Sequence, residues 1–392
     1  MDVTMSDEQR ALVDGVRRFV REQIVPLEDD LDPDESRLDA ATHTKLAAQV
    51  DQMGLRNLDL PEEFGGPGID VTTRTLLAIE MSQHRAGLYS PCFDVFGGGG
   101  LVALSNATED QKERYLYPTA RGEMSGCFAL TEPSGGSDPA RSIRTRAVRD
   151  GDEWVIDGSK TFISMADEAD YAIVFARTGE ADSGRAGITC FIADTGAPGF
   201  HVRRIIHTLR SGHSATEIDF SGLRVPDANR VGAVGEGFAQ LNERLSMNRI
   251  PYSAACIGVA VKAQQMAIDW AKSRSVHGRL LSEQQGIAWM LVDNELDIRN
   301  ATLMVLHAAD RADRGLPFRT EAAAAKIIAT EGASRVVDRS IQIHGGMGVT
   351  KDLPLERWYR ELRIRRIGEG PTEVQRMIIS RELLGKPYKF FL

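Results

Sequence analysis

At 392 residues the chain is longer than one hydrophobic core usually serves, and 42% hydrophobic with 26% charged residues is the composition of a globular protein built from two or three packed units. A formal net charge of −9 speaks against nucleic acid as a general partner, and no apolar run approaches the roughly eighteen residues that would suggest a membrane span. The four cysteines, Cys92, Cys127, Cys190 and Cys256, stand alone, which argues against a disulfide framework or a CxxC metal cluster.

The acidic start, Met1 to Glu8, has neither a basic–apolar signal nor an Arg-rich transit pattern, so a cytoplasmic protein, or one already free of a presequence, is expected. Val13, Val16, Phe19 and Val20 recur at helical spacing, as do Leu76, Leu77, Ile79, Glu80 and Met81, and residues 1–124 read as an N-terminal helical domain. The run Leu60-Pro61-Glu62-Glu63-Phe64-Gly65-Gly66-Pro67-Gly68 breaks it with a rigid loop, and Thr108-Glu109-Asp110-Gln111 has the pattern of a capped helix start.

Residues 125–233 change character. Trp154 to Ile163 reads as strand, turn and strand, and Tyr171–Ala176 and Gly187–Ile192 are short apolar runs bounded by Gly and Asp. A central antiparallel β domain is predicted, ending near Val225-Pro226 because proline cannot continue a central strand. Residues 234–392 return to helical periodicity. Ser282-Glu283-Gln284-Gln285 has the spacing of a capping box before Ile287, Leu291 and Ile298. Pro251 is expected to kink a long helix, and the alanines after Thr320 predict close helix packing. The fold class is α+β multidomain: helical domain, β domain, C-terminal four-helix bundle.

Four segments carry chemistry. Ala129-Leu130-Thr131-Glu132-Pro133-Ser134-Gly135-Gly136-Ser137-Asp138 runs from a strand into a small-residue loop whose N–H groups and hydroxyls suit a diphosphate, although the glycines alone fit an ordinary hairpin turn equally well. It is neither GxGxxG nor a Walker loop, so neither a Rossmann fold nor an ATPase is supported. In Lys160-Thr161-Phe162-Ile163-Ser164, a flat aromatic and a hydroxyl two residues apart share one face of a strand and suit the edge of a planar ring, or are simple alternation. Gln342-Ile343-His344-Gly345-Gly346-Met347-Gly348-Val349 has more glycines than a helix stop requires. Glu369 stands in Ile367-Gly368-Glu369-Gly370-Pro371-Thr372-Glu373, where flexible glycines can press a carboxylate against a ligand. Taken alone, such an acid is a solvated residue favoured by the helix dipole. Pro371 suits the first position of a helix that should bury Val374, Ile378 and Leu384 before Gly385 stops it. His201, His207 and His213 recur evenly, yet no acid or cysteine completes a ligand set, so no metal is expected.

Together these segments resemble the acyl-CoA dehydrogenases over essentially the whole chain. Leu130-Thr131-Glu132-Pro133-x-x-Gly136-Ser137-Asp138 is similar to the family's first signature. Gln342-x-x-Gly345-Gly346-x-Gly348-Val349, followed by Asp352, Arg357 and Glu361, is similar to its second. The resemblance implies FAD, an acyl-CoA substrate, α,β-dehydrogenation, and electron-transferring flavoprotein as acceptor. It implies that Leu130 and Thr131 meet the flavin pyrimidine, that Ser137 lies near cofactor phosphate and substrate, and that Phe162 and Ser164 flank the isoalloxazine. Arg274 matches an arginine reaching the FAD diphosphate of a neighbouring subunit. Gln285, Gln342, Gly345 and Gly346 match residues around the nucleotide end, and Glu373 also falls in the cofactor set. Arg249, Ser246 and Gly370 match the substrate side, and Glu369 the catalytic base. FAD contacts from two subunits imply a homo-oligomer, a tetramer by resemblance. One branch of the family places its base just before the arginine matching Arg249; that position is Asn248 here and cannot serve.

Four positions depart from the pattern. Gly368 stands where many members carry tyrosine, and the lost ring is expected to open room for a branched or bulky acyl group. Met165 replaces a frequent asparagine, His277 a frequent phenylalanine, and Arg141 a small residue that leaves it either solvated or within reach of CoA phosphate. Two other readings keep the fold: an oxidase or monooxygenase that gives electrons to oxygen, and a non-catalytic subunit that binds FAD or acyl-CoA.

Overall fold

The computed structural model describes residues 5–97, 104, 106–180, 187–210 and 215–385; the side chains of Gln240, Asn242 and Glu243, and His213 altogether, lie outside that description. Helix α1 (Asp7–Phe19) opens on a capping box in which Ser6 and Gln9 satisfy each other's backbone N–H. It buries Val13, Val16 and Phe19, as the periodicity predicts, and continues into a π turn, Val20–Ile24. Helices α2 (Ala40–Gln52) and α3 (Val71–Met81) start on Asp39 and Asp70, whose carboxylates accept first-turn N–H groups. Thr108 caps α4 (Glu109–Gln111) in a second capping box, and a π turn, Lys112–Leu116, leads on to α5 (Tyr117–Ala120).

The eight-stranded sheet runs in the order β6-β7-β3-β2-β4-β5-β8, with β1 (Gly126–Ala129) also paired to β4. A short helix, α6 (Pro139–Ser142), separates β1 from β2 (Arg146–Asp150). The remaining strands are β3 (Glu153–Ser164), β4 (Tyr171–Arg177), β5 (Ile188–Asp194), β6 (Phe200–Ile206), β7 (Ala215–Pro226) and β8 (Arg230–Val231). Pairing is antiparallel except where β1 and β2 meet β4. The largely apolar β4 and β5, buried along all but the final Asp194, follow from burial on both faces. Ala172, Val174 and Ala176 face a core with Trp154 and Phe220, while Tyr171, Ile173 and Phe175 face a second with Leu116 and Phe238. Trp154–Ile163, expected as two strands about a turn, is part of one 12-residue strand. Gly158 makes no turn there. A Cβ at this residue would lie 2.6 Å from the Thr145 Cα, so the glycine permits close backbone approach.

Helix α7 (Gly237–Ser273) is 37 residues long and passes through Pro251 without ending. The hairpin β9 (Ser275–Val276) and β10 (Arg279–Leu280) links it to α8 (Gln285–Asp313). The expected capping box is not formed: Ser282 lies in a 3-10 turn, Leu281–Glu283, and Gln284 is the cap residue without a side-chain bond. In α9 (Arg319–His344), Ala322, Ala323, Ala325, Ala329 and Ala333 are buried, which lets neighbouring helices approach closely. Helices α10 (Leu355–Arg365) and α11 (Thr372–Leu383) pack on α9 and complete the bundle. Close packing also joins α3 to α7, where a Cβ on Gly258 would lie 2.2 Å from the Ile79 carbonyl oxygen. Of the residues expected inside α11, Val374 and Ile378 are half-buried and Leu384 is 52% exposed; Thr372 and Gln375 take the buried positions.

Candidate active site

The Glu369 turn is built from the end of α10 inward. The N–H groups of Ile367 and Gly368 both donate to the Ile364 carbonyl, closing the helix. Glu369 then takes a left-handed φ of 54° and Gly370 one of 91°. A non-glycine residue rarely adopts that conformation, and it persists only where its surroundings hold it. Here Gln375, from the first turns of α11, donates through Nε2 to the carbonyls of Glu369 (3.2 Å) and Gly370 (2.9 Å). A Cβ at Gly370 would lie 2.6 Å from that same nitrogen, so the position requires glycine. Pro371, expected at the first helical position, is instead the cap residue of α11, one place earlier, with extended ψ (159°).

The Glu369 Oε2 atom is buried and, among the described residues, has no hydrogen-bond partner. Helix α7 supplies the facing wall. Arg249 donates from Nε to the Glu369 carbonyl at 3.5 Å, while its buried Nη1 has no partner among the described residues. Burial pulls the Arg249 guanidinium down to about 10 against the opposing charge of Glu369. Ser246 lies buried about one turn earlier. Lys326 of α9 donates to the Arg366 carbonyl, and burial lowers it to about 8 despite the nearby Cys256 and Glu369.

The space expected beside Gly368 is filled. A Cβ there would lie 2.4 Å from the Tyr252 hydroxyl, so a ring from α7 stands where the turn itself lacks one. That ring is clamped by the Arg365 guanidinium, 3.9 Å from its centroid, and burial raises its phenol well above the usual range. Tyr252 therefore occupies the room that Gly368 was expected to leave for a bulky acyl group.

A second group lies on the sheet. Phe162 has a left-handed φ of 57° at the register break of β3 between Lys160 and Ile163, and its ring is 62% exposed. The break turns the aromatic outward, and Ser164 is exposed two residues on. Thr131 reaches the same place: its carbonyl accepts the Thr161 N–H at 2.8 Å. Beneath them is an ion pair that sequence reasoning missed. Lys160 Nζ donates to Glu132 at 2.8 Å and to the carbonyls of Leu130 (3.1 Å) and Phe175 (2.7 Å). Glu132 also accepts the N–H groups of Arg144 and Thr145. Burial pushes the Glu132 carboxyl up, but the Lys160 charge and these donors outweigh it and leave it lowered; burial brings Lys160 down to about 8. A lysine among the inward-facing positions of β3 was the available signal. Ser137 is exposed farther along the loop, and Arg141 is exposed 3.9 Å from Asp138.

A third group gathers where α7 and α9 end. Trp270 stacks on His344 at 5.3 Å, and Arg274 lies 6.0 Å from the Trp270 centroid. Gln342, Gly345, Gly346 and, at the start of α8, Gln285 are exposed around a small core containing Ile343 and Ile287. Among the described residues, no hydrogen bond or ring contact joins this group to the other two. His277 serves a backbone role: with Gly278 it forms the two-residue turn of the β9–β10 hairpin, both at positive φ. Met165, at φ 63°, and Glu373 are exposed. His201 lies exposed on β6, and its expected companion His213 is outside the described residues.

These surfaces suit a long, flat, phosphate-bearing molecule. The exposed Phe162 offers a face for a planar ring, the Thr131–Ser137 loop offers hydroxyls, and a Cβ at Gly345 or Gly346 would meet nothing within 4 Å. Residues 6–123, 127–223 and 235–384 match, in turn, the N-terminal, middle and C-terminal domains of acyl-CoA dehydrogenase. An acyl-CoA dehydrogenase of Bacillus subtilis is 36% identical over 384 residues, covering 97% of this chain and 99% of its own. A short-chain-specific acyl-CoA dehydrogenase of Clostridium acetobutylicum is 34% identical, covering 98% and 100%. The solved structure of butyryl-CoA dehydrogenase from Megasphaera elsdenii superposes with a TM-score of 0.86 at 31% identity, covering 98% and 100%.

Proposed function

This chain belongs to the acyl-CoA dehydrogenase family, an FAD-dependent oxidoreductase acting on the CH–CH group of acyl-CoA, and from that premise we propose that Glu369 is the base that removes the α-proton. The observation that carries this is the Glu369 Oε2, buried without a partner among the described residues and held on a strained turn against Arg249. A buried acceptor without a donor is costly and is suited to receive a proton.

Leu130, Thr131, Phe162 and Ser164 are assigned to the flavin ring, and Ser137 to phosphate and substrate. Arg274, Gln285, Gln342, Gly345, Gly346 and Glu373 are assigned to the remainder of FAD. When bound, FAD supplies the acceptor for the β-hydride. The protein's own part is to position and to exclude water. The α-proton of a thioester is far less acidic than a carboxylic acid, so Glu369 needs help from donors to the thioester oxygen, each worth about 3 kcal/mol in comparable oxyanion sites. The Glu369 N–H is assigned as one such donor, and Gln375 fixes the turn that aims it. Arg249, Ser246 and Gly370 frame the substrate side.

The separation of the Arg274 group from Phe162 within one chain supports a cofactor site completed by a second copy. Helix α8 adds an apolar stripe, Trp289, Val292, Leu296 and Leu303, that faces outward, with Trp289 62% exposed. Such a stripe marks an association surface, and a homotetramer is our reading. Electron-transferring flavoprotein is the acceptor to which the family points. Among the described residues, no helix is long and apolar enough to cross a membrane, and we take the cytoplasm as the site of action.

The test is anaerobic bleaching of the yellow holoprotein by a panel of acyl-CoAs, followed by air. Bleaching that outlasts the return of air supports a dehydrogenase; rapid recolouring with peroxide identifies an oxidase. Failure of every thioester to bleach a flavin-loaded protein points to a binding role and ends the proposal.

A further inference from the structure

A cavity of about 210 Å³ lies between α3 and α7. Residues Arg244, Met247, Asn248, Pro251 and Ala255 form one wall at helical spacing, and Arg74, Ala78, Met81 and Ser82 of α3 form the opposite one. The same helix α7 turns Arg249 and Tyr252 toward the Glu369 turn, so the cavity adjoins the site just described. Most of its lining is apolar, as an alkyl chain requires. Two guanidinium groups are not.

Arg74 is half-buried, and the hydrogen bond it makes to Met247 runs from Nη2 to the sulfur at 3.7 Å, a weak acceptor for a full positive charge. Burial drives its pKa down, with Asp59, Asp313 and Asp70 pulling the other way. Two of those acids are engaged elsewhere. Asp313 accepts the N–H groups of Val71 and Thr72, and Asp70 caps α3 through the Thr73 N–H. Arg244 is also half-buried. Its guanidinium sits 3.8 Å over the Phe128 ring, and among the described residues no carboxylate lies within ion-pair distance of it. Burial lowers its pKa, opposed by the charge of Glu369. Asp59 lines the same cavity and offsets one of the two cations. A net positive charge remains in a largely apolar chamber. Desolvating a cation without a partner is unfavourable, and a ligand that brings an anion removes that cost.

We propose that the acyl group oxidised by this enzyme carries a distal carboxylate, received by Arg74 and Arg244 in the α3–α7 cavity. The assignment rests on the acyl-CoA dehydrogenase reading and narrows its substrate class. A guanidinium fork matches a carboxylate in two-point geometry, and Arg244 remains available for it while stacked on Phe128.

The experiment uses the flavin-loaded full-length protein. Adipoyl- and suberoyl-CoA are compared with hexanoyl- and octanoyl-CoA in anaerobic bleaching, and kcat/KM is taken for each. The carboxylated thioesters should lead by about tenfold or more. In Arg74→Met and Arg244→Met, with flavin content as the check on folding, the two series should become equal; Arg74→Lys, which keeps the charge, should retain most of the preference. A readout without turnover is the Kd of adipoyl-CoA for Glu369→Gln holoprotein, which should weaken when Arg74→Met is added, while that of hexanoyl-CoA does not. Equal or better use of the alkyl thioesters by the wild type, or an equal loss for both series in the Met variants, overturns the carboxylate and leaves the dehydrogenase standing. If no thioester of either series bleaches the flavin, the parent reading itself falls.

Discussion

The sheet side and the helical side of the site are built on opposite terms. Under the Phe162 bulge every charge is answered: Glu132 takes Lys160 and two backbone N–H groups, and Lys160 takes two carbonyls besides. Around Glu369, by contrast, some buried atoms have no partner among the described residues, namely Glu369 Oε2, Arg249 Nη1 and Gln375 Oε1. A satisfied network fixes a surface before anything binds. An unsatisfied one is a surface that a ligand completes. The face under Phe162 thus behaves as scaffold, and the Glu369 turn as the part left for a ligand to complete.

That contrast can be broken at several points. The largest expected effect is on chemistry: Glu369→Gln should reduce the anaerobic bleaching rate by about 10²–10⁴-fold or more while FAD content, read from absorbance, is retained. A Gln variant that bleaches at the wild-type rate removes the base from Glu369. On the sheet side the main loss should be in stability. Lys160→Met strands the Glu132 carboxylate and should cost about 3–5 kcal/mol in urea unfolding, and Glu132→Gln in the same chain should restore part of it. No recovery in the double variant would mean that the pair is not a unit.

Gln375→Ala should be milder, about 1–2 kcal/mol for its two carbonyl contacts, and should lower kcat more than it raises KM because it releases the turn that aims Glu369. The smallest effect is one of pH. Lys326 holds its proton in the folded chain only up to about 8, below the ordinary lysine value of 10.5. Between those values the unfolded chain binds the extra proton, so this residue's contribution to stability rises with pH across the window. Lys326→Met should lack that rise when unfolding free energies at pH 7 and pH 10 are compared; identical slopes in the two proteins would contradict it.

Much of this was legible one turn at a time. Thr108 caps its helix as the Thr108–Gln111 pattern says, and Val13, Val16 and Phe19 face inward as their period says. Where local pattern misled, a non-local partner was responsible. Gly158 is a place where Thr145 comes close and not a turn, and Ser282 gives its capping position to a 3-10 turn. The glycines around Glu369 announced an unusual backbone, but not that Glu369 itself takes the left-handed conformation with Gln375 holding it.

By itself the sequence determined the helices, most of the strands and their order along the chain, because caps and periodicity depend on residues a few places apart. Tertiary structure alone decided that Tyr252 fills the space beside Gly368, that Lys160 answers Glu132, and that Arg74 and Arg244 share a cavity. Which buried polar groups meet, and which are left without a partner, is set by the packing of distant segments whose desolvation no local pattern encodes.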